Sequence, residues 1–181
     1  YVLSGAKKYT IGIDFGTESA RAVLVDVSNG DLAASAVYQY PHGVIREKLP
    51  GSDVELDREW ALQHPGDYIN AIKRAVPKLL KDSQIDPDQV IAIGTDFTGS
   101  TVMPTTESGV PLALLEDFQN EPHAWPKIWK HHASQDKADQ LTQLASDRFE
   151  TFLDRYGGRI NAEWFFPKVW EIYDKSSSVY S

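Results

Sequence analysis

Residues 11–21 read Ile11-Gly12-Ile13-Asp14-Phe15-Gly16-Thr17-Glu18-Ser19-Ala20-Arg21. A strand-like run ends near an Asp, a turn containing glycine follows, and a second strand-like run begins directly after it, so this stretch predicts a β-hairpin. Gly16 allows the backbone to turn tightly beside an anion, Thr17 and Ser19 add hydroxyl groups, and Asp14 can hold a magnesium ion through water. Residues 11–21, the phosphate hairpin, are therefore a candidate site for the β- and γ-phosphates of ATP.

Two common nucleotide-binding motifs are excluded by the same residues. The pattern GxxxxGK[ST] does not occur, and residues 20–26 continue as a strand where a dinucleotide-binding turn requires a helix. The bland alternative is an ordinary hairpin in which Asp14 and Thr17 only satisfy the amides of the turn. The hairpin alone favours phosphate binding over that alternative without deciding it.

Strand and helix patterns continue along the chain from this hairpin. Residues 10–15, 20–26 and 32–40 are strand-like and separated by turn signals, which predicts a three-stranded antiparallel meander. Residues 41–59 have no sustained period and are predicted to form a long loop. The elements predicted after it are a helix from Pro65 that Pro77 should bend or end early, strands at 90–94 and from 101 to 104, and helices at 126–132, 134–156 and 163–173.

Length, composition and charge limit the class of protein. With 181 residues, 41% of them hydrophobic, the chain can bury one ordinary core, and we expect a single domain. The 18 Lys and Arg residues against 26 Asp and Glu residues give a net charge of -8, which argues against a nucleic-acid partner. The chain has no cysteine and no apolar run of membrane-spanning length, so we expect no disulfide, no membrane association and a cytoplasmic location.

A second polar region follows the strand predicted at 90–94. Residues 96–100, the sugar loop, contain Asp96, Thr98 and Ser100, which offer hydrogen-bond partners for a hydroxyl-rich ligand at a strand end. Gly99 lacks a Cβ, and its backbone could therefore approach such a ligand closely.

An aromatic and cationic segment is a weaker candidate for the same ligand. Trp129 could stack on the apolar side of a sugar, with Lys130 and His132 beside it for the hydroxyl groups. A purely structural role is a strong alternative, because a Trp on a helix usually lies in the core or an interface and a Lys-His-His run usually faces solvent. Adjacent histidines on a helix also point to different sides, which makes them a poor metal pair.

The phosphate hairpin resembles the first phosphate motif of the actin-like ATPase superfamily. Within that superfamily, residues 16–21 followed by Asp26 are similar to the opening of the FGGY carbohydrate-kinase family. The resemblance implies an α/β fold, the N-terminal domain of an actin-like, ribonuclease H-like ATPase, with a mixed sheet that starts as an antiparallel meander and is flanked by helices. It also implies ATP and Mg²⁺ as cofactors, with the ion held by Asp14 through water. The phosphate-binding residues it implies are Asp14, Gly16, Thr17, Ser19 and Arg21.

Three further stretches are similar to the branch of that family that acts on L-ribulose, namely residues 96–101, 129–132 and 157–168. This similarity implies that a ketopentose is phosphorylated. The branches acting on xylulose or D-ribulose remain open, as does a non-catalytic actin-like module that binds nucleotide or sugar. The substrate-binding residues implied are Asp96, Thr98, Gly99, Ser100, Trp129, Lys130 and His132.

The resemblance also sets expectations for the domain and its partners. Residues 9–181 are expected to form a truncated N-terminal domain, with residues 1–8 as a leader or remnant outside it. The family's catalytic base, an Asp, and its adenosine pocket are expected in a C-terminal domain, which is thus an expected partner together with the ketopentose. The residues leave the oligomeric state open.

Overall fold

The computed structural model describes residues 7–181. Two compact units divide the chain: the first contains the residues up to 43 and residues 66–98, and the second contains residues 44–65 and 99–181. The predicted leader, residues 1–8, falls mostly on positions 1–6, outside the described residues. The boundary between the units at Thr98 and Gly99 falls inside the sugar loop.

A four-stranded sheet forms the first unit. Its strands are β1 (Tyr9–Phe15), β2 (Ser19–Asp26), β3 (Leu32–Gln39) and β4 (Val90–Phe97), in the order β3-β2-β1-β4. The first three strands are antiparallel and β4 runs parallel to β1. The predicted meander and mixed sheet are therefore confirmed, and the fourth strand extends beyond the predicted residues 90–94.

The helix α1 (Pro65–Ser83) covers one face of this sheet. Ala71, Ala75 and Leu79 recur every fourth residue along one stripe of the helix and lie in a buried cluster with inward-facing strand residues such as Ile11 and Leu24. The prediction that Pro77 could end the helix early is wrong, since α1 continues to Ser83. A proline inside a helix removes one hydrogen bond, and the burial of Ala75 and Leu79, two positions before and after Pro77, stabilises the helix against that loss.

Four α-helices belong to the second unit: α2 (Gln135–Asp147), α3 (Phe152–Arg155), α4 (Phe165–Lys175) and α5 (Ser177–Tyr180). Its buried cluster includes Leu62, Val102, Trp125 and Ile172. The helix predicted at 163–173 is confirmed as α4, and the predicted loop 41–59 contains only isolated bridges. Among the described helices, none is both long enough and apolar enough to cross a membrane.

Two predicted elements of the second unit are wrong. Residues 126–132 are not helical, because the backbone of Lys127 pairs as an isolated bridge with both Leu62 and Val102. Residues 101–104 form no strand beyond that bridge at Val102. At Lys127, pairing with segments distant in sequence replaces the local helical preference.

The long helix predicted at 134–156 is interrupted. α2 ends at Asp147, and α3 begins at Phe152. Between them Phe149 has a φ of +55°, a left-handed conformation that does not continue a right-handed helix. Ser134 directly precedes α2, and its hydroxyl donates to the Ala162 carbonyl oxygen at 3.1 Å instead of capping the helix.

Candidate functional site

Three charged residues lie side by side at the strand ends of the first unit. Asp14 on β1 is in register with Arg21 on β2 and with Asp96 on β4. Cross-strand partners in register project on the same face of a sheet, and here that face is opposite the core, because Ile13 and Phe15 point inward. The sheet therefore brings together Asp14 and Arg21 from the phosphate hairpin and Asp96 from the sugar loop.

An open groove of about 330 Å³ leads along the sheet to these residues. Gly12 on β1 and Gly94 on β4 are direct neighbours in register and form part of its floor. A Cβ at Gly12 would come within 3.2 Å of the Val23 side chain, whereas one at Gly94 would meet nothing within 4 Å. Two adjacent residues without side chains leave the floor of the groove open beside the charged residues.

The turn of the phosphate hairpin is closed by its own backbone. The Gly16 N–H donates to the Ser19 carbonyl oxygen at 2.9 Å, and a Cβ at Gly16 would come within 3.1 Å of that oxygen. The absence of a side chain at Gly16 thus allows the tight turn that contains Thr17. Ser19 begins β2 directly after the turn, two residues before Arg21.

The strand end that bears the sugar loop is tied to the same hairpin. The Thr98 N–H donates to the Phe15 carbonyl oxygen at 3.2 Å, and the Phe15 and Phe97 rings are 6.2 Å apart. The Asp96 Oδ1 atom accepts the Phe97 N–H at 3.0 Å. Asp96 and Thr98 therefore lie beside the phosphate hairpin within one unit.

The rest of the sugar loop belongs to the second unit. Gly99 and Ser100 form an exposed turn, and Ser100 has a φ of +58°. The Ser100 carbonyl oxygen accepts the Nζ of Lys168 at 2.9 Å. Two residues further on, the Val102 N–H and carbonyl oxygen bond to the backbone of Lys127 at 3.1 and 2.8 Å.

The aromatic segment, residues 129–132, follows the backbone pairing at Lys127 along the chain. Trp129 is 38% exposed, and the Nζ of Lys130 lies 5.1 Å from the centre of its ring. His132 lies between two carboxylates, with its Nε2 3.2 Å from Glu163 and its Nδ1 3.6 Å from Glu59. Trp129 and Lys130 offer an aromatic face and a cation, while the His132 ring is already held by carboxylates.

A buried polar cluster beneath this segment was not predicted from the sequence. His131 is fully buried, its Nδ1 accepts the Ala61 N–H at 3.3 Å, and its Nε2 lies 2.9 Å from Glu171. The Ala61 contact requires the tautomer with hydrogen on Nε2, which then donates to Glu171. The Nζ of Lys127 lies 3.5 Å from Glu171 and 3.8 Å from the centre of the Trp60 ring.

Burial is the largest single influence on the pKa values of His131, Lys127 and Glu171. Burial lowers the pKa of His131 to about 4, so the ring is neutral at pH 7. Burial likewise lowers the pKa of Lys127 to about 8, although the charge of Glu171 opposes the shift. Burial raises the pKa of Glu171, but the hydrogen bond from His131 and the charge of Lys127 outweigh it, and the net pKa is lowered.

The sequence contains a signal for these buried charges. Lys127 stands between the apolar residues Trp125 and Trp129, and Lys168 and Glu171 stand three apart in an aromatic-rich segment. Residues three apart share one face of a helix. Charged residues on the apolar stripe of a helix indicate a buried network rather than a solvated face.

The FGGY family of carbohydrate kinases, N-terminal domain, matches residues 9–153. A ribulokinase from Halalkalibacterium halodurans is 52% identical over 174 residues, which are 96% of this chain and 31% of that protein. A ribulokinase from Mycolicibacterium smegmatis is 46% identical over 178 residues, which are 98% of this chain and 32% of that protein. The chain therefore spans about a third of the length of these curated relatives.

Two solved kinase structures are similar to this chain in fold. A xylulose kinase from Brucella ovis has a TM-score of 0.71 at 17% identity, covering 95% of this chain and 30% of that one. The glycerol kinase of Plasmodium falciparum, solved with ADP, has a TM-score of 0.62 at 12% identity, covering 96% of this chain and 30% of that one. These similarities confirm the predicted actin-like ATPase fold. Since the family match covers most of the residues and the fold agrees with it, the chain belongs to the FGGY family of carbohydrate kinases.

Proposed function

We propose that the chain is part of an ATP-dependent kinase that phosphorylates a ketopentose, with L-ribulose as the leading substrate and L-ribulose 5-phosphate as the product, in arabinose catabolism. The oxygen of a sugar hydroxyl would attack the γ-phosphorus of ATP, ADP would leave, and a carboxylate base would accept the hydroxyl proton. The relatives named ribulokinase at 46% and 52% identity support this choice of sugar.

The observation that carries the proposal is the register of Asp14, Arg21 and Asp96 beside the tight Gly16 turn. The exposed Asp14 carboxylate fits Mg²⁺, a hard cation that prefers oxygen ligands and keeps several waters. Bound there, Mg²⁺ would neutralise charge on the phosphates. Arg21 would bind phosphate oxygens through its planar guanidinium group.

On the acceptor side, the residues proposed to bind the sugar differ in chemistry. Asp96 offers carboxylate oxygens to hydroxyl groups, and Trp129 offers a ring face to the apolar side of a pentulose. Gly99 and Ser100 offer backbone and hydroxyl groups. The proposed catalytic base and adenosine pocket belong to the remainder of the polypeptide, a C-terminal domain, and the proposed location is the cytoplasm, where MgATP is available.

A coupled assay of ADP release on the full-length protein tests the proposal. We expect L-ribulose to give a higher kcat/KM than D-ribulose, D-xylulose or the corresponding polyols. A clear preference for D-xylulose would replace the proposed substrate but keep the reaction class. ATP binding without any sugar-dependent ADP release would favour a non-catalytic module and contradict the proposal.

A further inference from the structure

The turn that ends the sugar loop has a backbone conformation that few residues with a side chain adopt. Ser100 has a φ of +58°, where the Cβ of an ordinary residue is crowded by the backbone. Such a conformation persists where the surrounding structure holds it, and these residues concentrate at binding and catalytic sites. The turn itself is exposed, so the restraint on Ser100 must come from a contact with another element.

A buried lysine on α4 supplies that contact. The Nζ of Lys168 donates to the Ser100 carbonyl oxygen at 2.9 Å, and Lys168 is 0% exposed. Lys168 lies in the first turn of α4, on the same buried face as Glu171 and Ile172. A charged donor makes a stronger hydrogen bond than a neutral one, and the donor here belongs to a side chain that is itself shielded from water.

Among the described residues, an ion pair does not account for the burial of Lys168. Across residues 7–181, no carboxylate lies within ion-pair distance of its Nζ. Burial lowers the pKa of Lys168 to about 8; the more distant charges of Glu163 and Glu171 oppose the shift, and that of Lys127 adds to it. A buried ammonium without a close counter-charge is costly, and the hydrogen bond that the Lys168 Nζ makes within residues 7–181 is with the sugar loop.

A second connection joins the same turn to the aromatic segment. Val102, two residues after Ser100, forms both of its backbone hydrogen bonds with Lys127. Lys127 in turn precedes the exposed Trp129 by two residues. The turn at Ser100 is thus held at one point by Lys168 and at another by the backbone that leads to Trp129.

We propose that Lys168 is a positioning residue of the sugar site, which holds the Ser100 turn in its left-handed conformation so that Gly99 and Ser100 keep a fixed place relative to Trp129. Lys168 contacts the backbone and would not touch the sugar itself. The inference rests on the proposed function, because a fixed turn matters for activity only if the turn binds the acceptor.

The test compares variants of the full-length kinase in separate titrations of L-ribulose and ATP. Lys168→Met keeps the length of the side chain and removes the donor, and we expect the KM for L-ribulose to rise about tenfold while the KM for ATP changes less than about twofold. Lys168→Arg keeps a charged donor and should restore most of the affinity for the sugar.

Lys137→Met is the matched control. Lys137 is also buried and donates to Asp174 on α4 at 2.7 Å, but its contact is with a side chain outside the sugar loop. We expect this variant to lose thermal stability without a selective change in the KM for L-ribulose. If Lys168→Met does not yield folded protein, Lys168→Gln, which keeps a shorter neutral donor, replaces it, with a smaller but still sugar-selective rise in KM.

Different results would contradict the positioning role of Lys168 and the proposed function. Equal changes in both KM values, a loss of thermal stability alone, or the same kinetics in the Lys137 control would overturn the positioning role. A wild-type protein that phosphorylates no ketopentose would instead overturn the proposed function.

Discussion

The Asp14 carboxylate and the Arg21 guanidinium carry opposite charges on neighbouring strands. Even so, neither side chain forms an ion pair or hydrogen bond with any residue in the described range 7–181. Both are exposed, so their charges stabilise the fold little. Charged groups aligned at a strand end without a structural partner are available to a ligand.

Replacement of Asp14 therefore separates function from stability. In the full-length protein, Asp14→Ala should lower kcat by about 100-fold or more, since it removes the charge proposed to hold the metal at the phosphates. The melting temperature should stay unchanged because the side chain is exposed. Steady-state ADP release and thermal unfolding check both expectations.

Asp31→Asn is the control for Asp14. Asp31 is an exposed carboxylate in the turn between β2 and β3, at the other end of the same strands. Its replacement should leave turnover unchanged. Near-normal turnover by Asp14→Ala would remove Asp14 from the mechanism.

The backbone conformation of the turn does not itself require a glycine at position 99. The residue in the left-handed conformation is Ser100, and a Cβ added at Gly99 would meet nothing within 4 Å. A side chain at Gly99 is therefore compatible with the turn of the chain itself. Any effect of a larger residue there should come from a ligand.

Gly99→Leu should accordingly raise the KM for L-ribulose more than the KM for ATP and leave the melting temperature nearly unchanged. The physical reason is that the added side chain would occupy space proposed for the sugar. Kinetic titrations of both substrates, together with thermal unfolding, measure this. Equal effects on both KM values would show that Gly99 is distant from the acceptor.

At the scale of elements, buried charged and polar side chains connect α4 to the segment around Lys127. Glu171 on α4 accepts the His131 Nε2–H and faces the Nζ of Lys127, which has no hydrogen-bond partner among the described residues. Removing one member of a buried pair leaves the other charge uncompensated. This contact makes α4 sensitive to the charge on Glu171.

Glu171→Gln should destabilise the fold by about 3 kcal/mol, because it keeps an acceptor for His131 but removes the charge opposite Lys127. The double variant Lys127→Met with Glu171→Gln should recover much of this loss, since the ammonium that Glu171→Gln leaves uncompensated is then removed as well. Chemical denaturation of the four proteins of the cycle measures the coupling. A double variant less stable than either single variant would contradict the argument.

The same cluster predicts how stability depends on pH. The pKa of His131 is about 4 in the folded chain against an ordinary value of 6.5, so the unfolded chain binds more protons between these values. The free energy of unfolding should therefore fall as pH falls through this window, by up to about 1.4 kcal/mol per pH unit for one histidine. His123, whose pKa is also lowered to about 4 by burial, acts in the same direction.

Glu171 acts in a separate pH window. Its pKa is lowered from 4.5, so its contribution is present above that value and is lost only at lower pH. Denaturation at about pH 7, 6 and 5 therefore reports the histidines, and His131→Asn should reduce the slope. A slope that does not change in this variant would show that the pKa of His131 is not lowered in the folded chain.

At the scale of the whole molecule, the chain spans 31% of the ribulokinase from Halalkalibacterium halodurans that it matches. Phosphoryl transfer requires donor, acceptor and base held in line and shielded from water. We expect no ribulose-dependent ADP release from residues 1–181 alone and activity only in the full-length protein. Robust sugar-dependent release from the 181-residue chain, abolished by Asp14→Ala, would show that the base lies within it.

Local patterns predicted much of the fold. The strand-like run that ends near Asp14, the turn at Gly16 and the helical pattern after Pro65 depend on neighbours in sequence, and each produced the expected element. The prediction of a helix around Lys127 was wrong for the converse reason. Its extended backbone pairs with Leu62 and Val102, which are distant in sequence.

The sequence by itself determined the phosphate hairpin, the meander and the family, because a strand-turn-strand pattern and a motif are local properties. Only the tertiary structure decided that Asp96 lies beside Asp14, since a parallel register between strands about 80 residues apart is not encoded in either strand alone. The tertiary structure also decided that Lys168 reaches Ser100. Burial of a lysine depends on what packs around it, and that is a property of the whole fold.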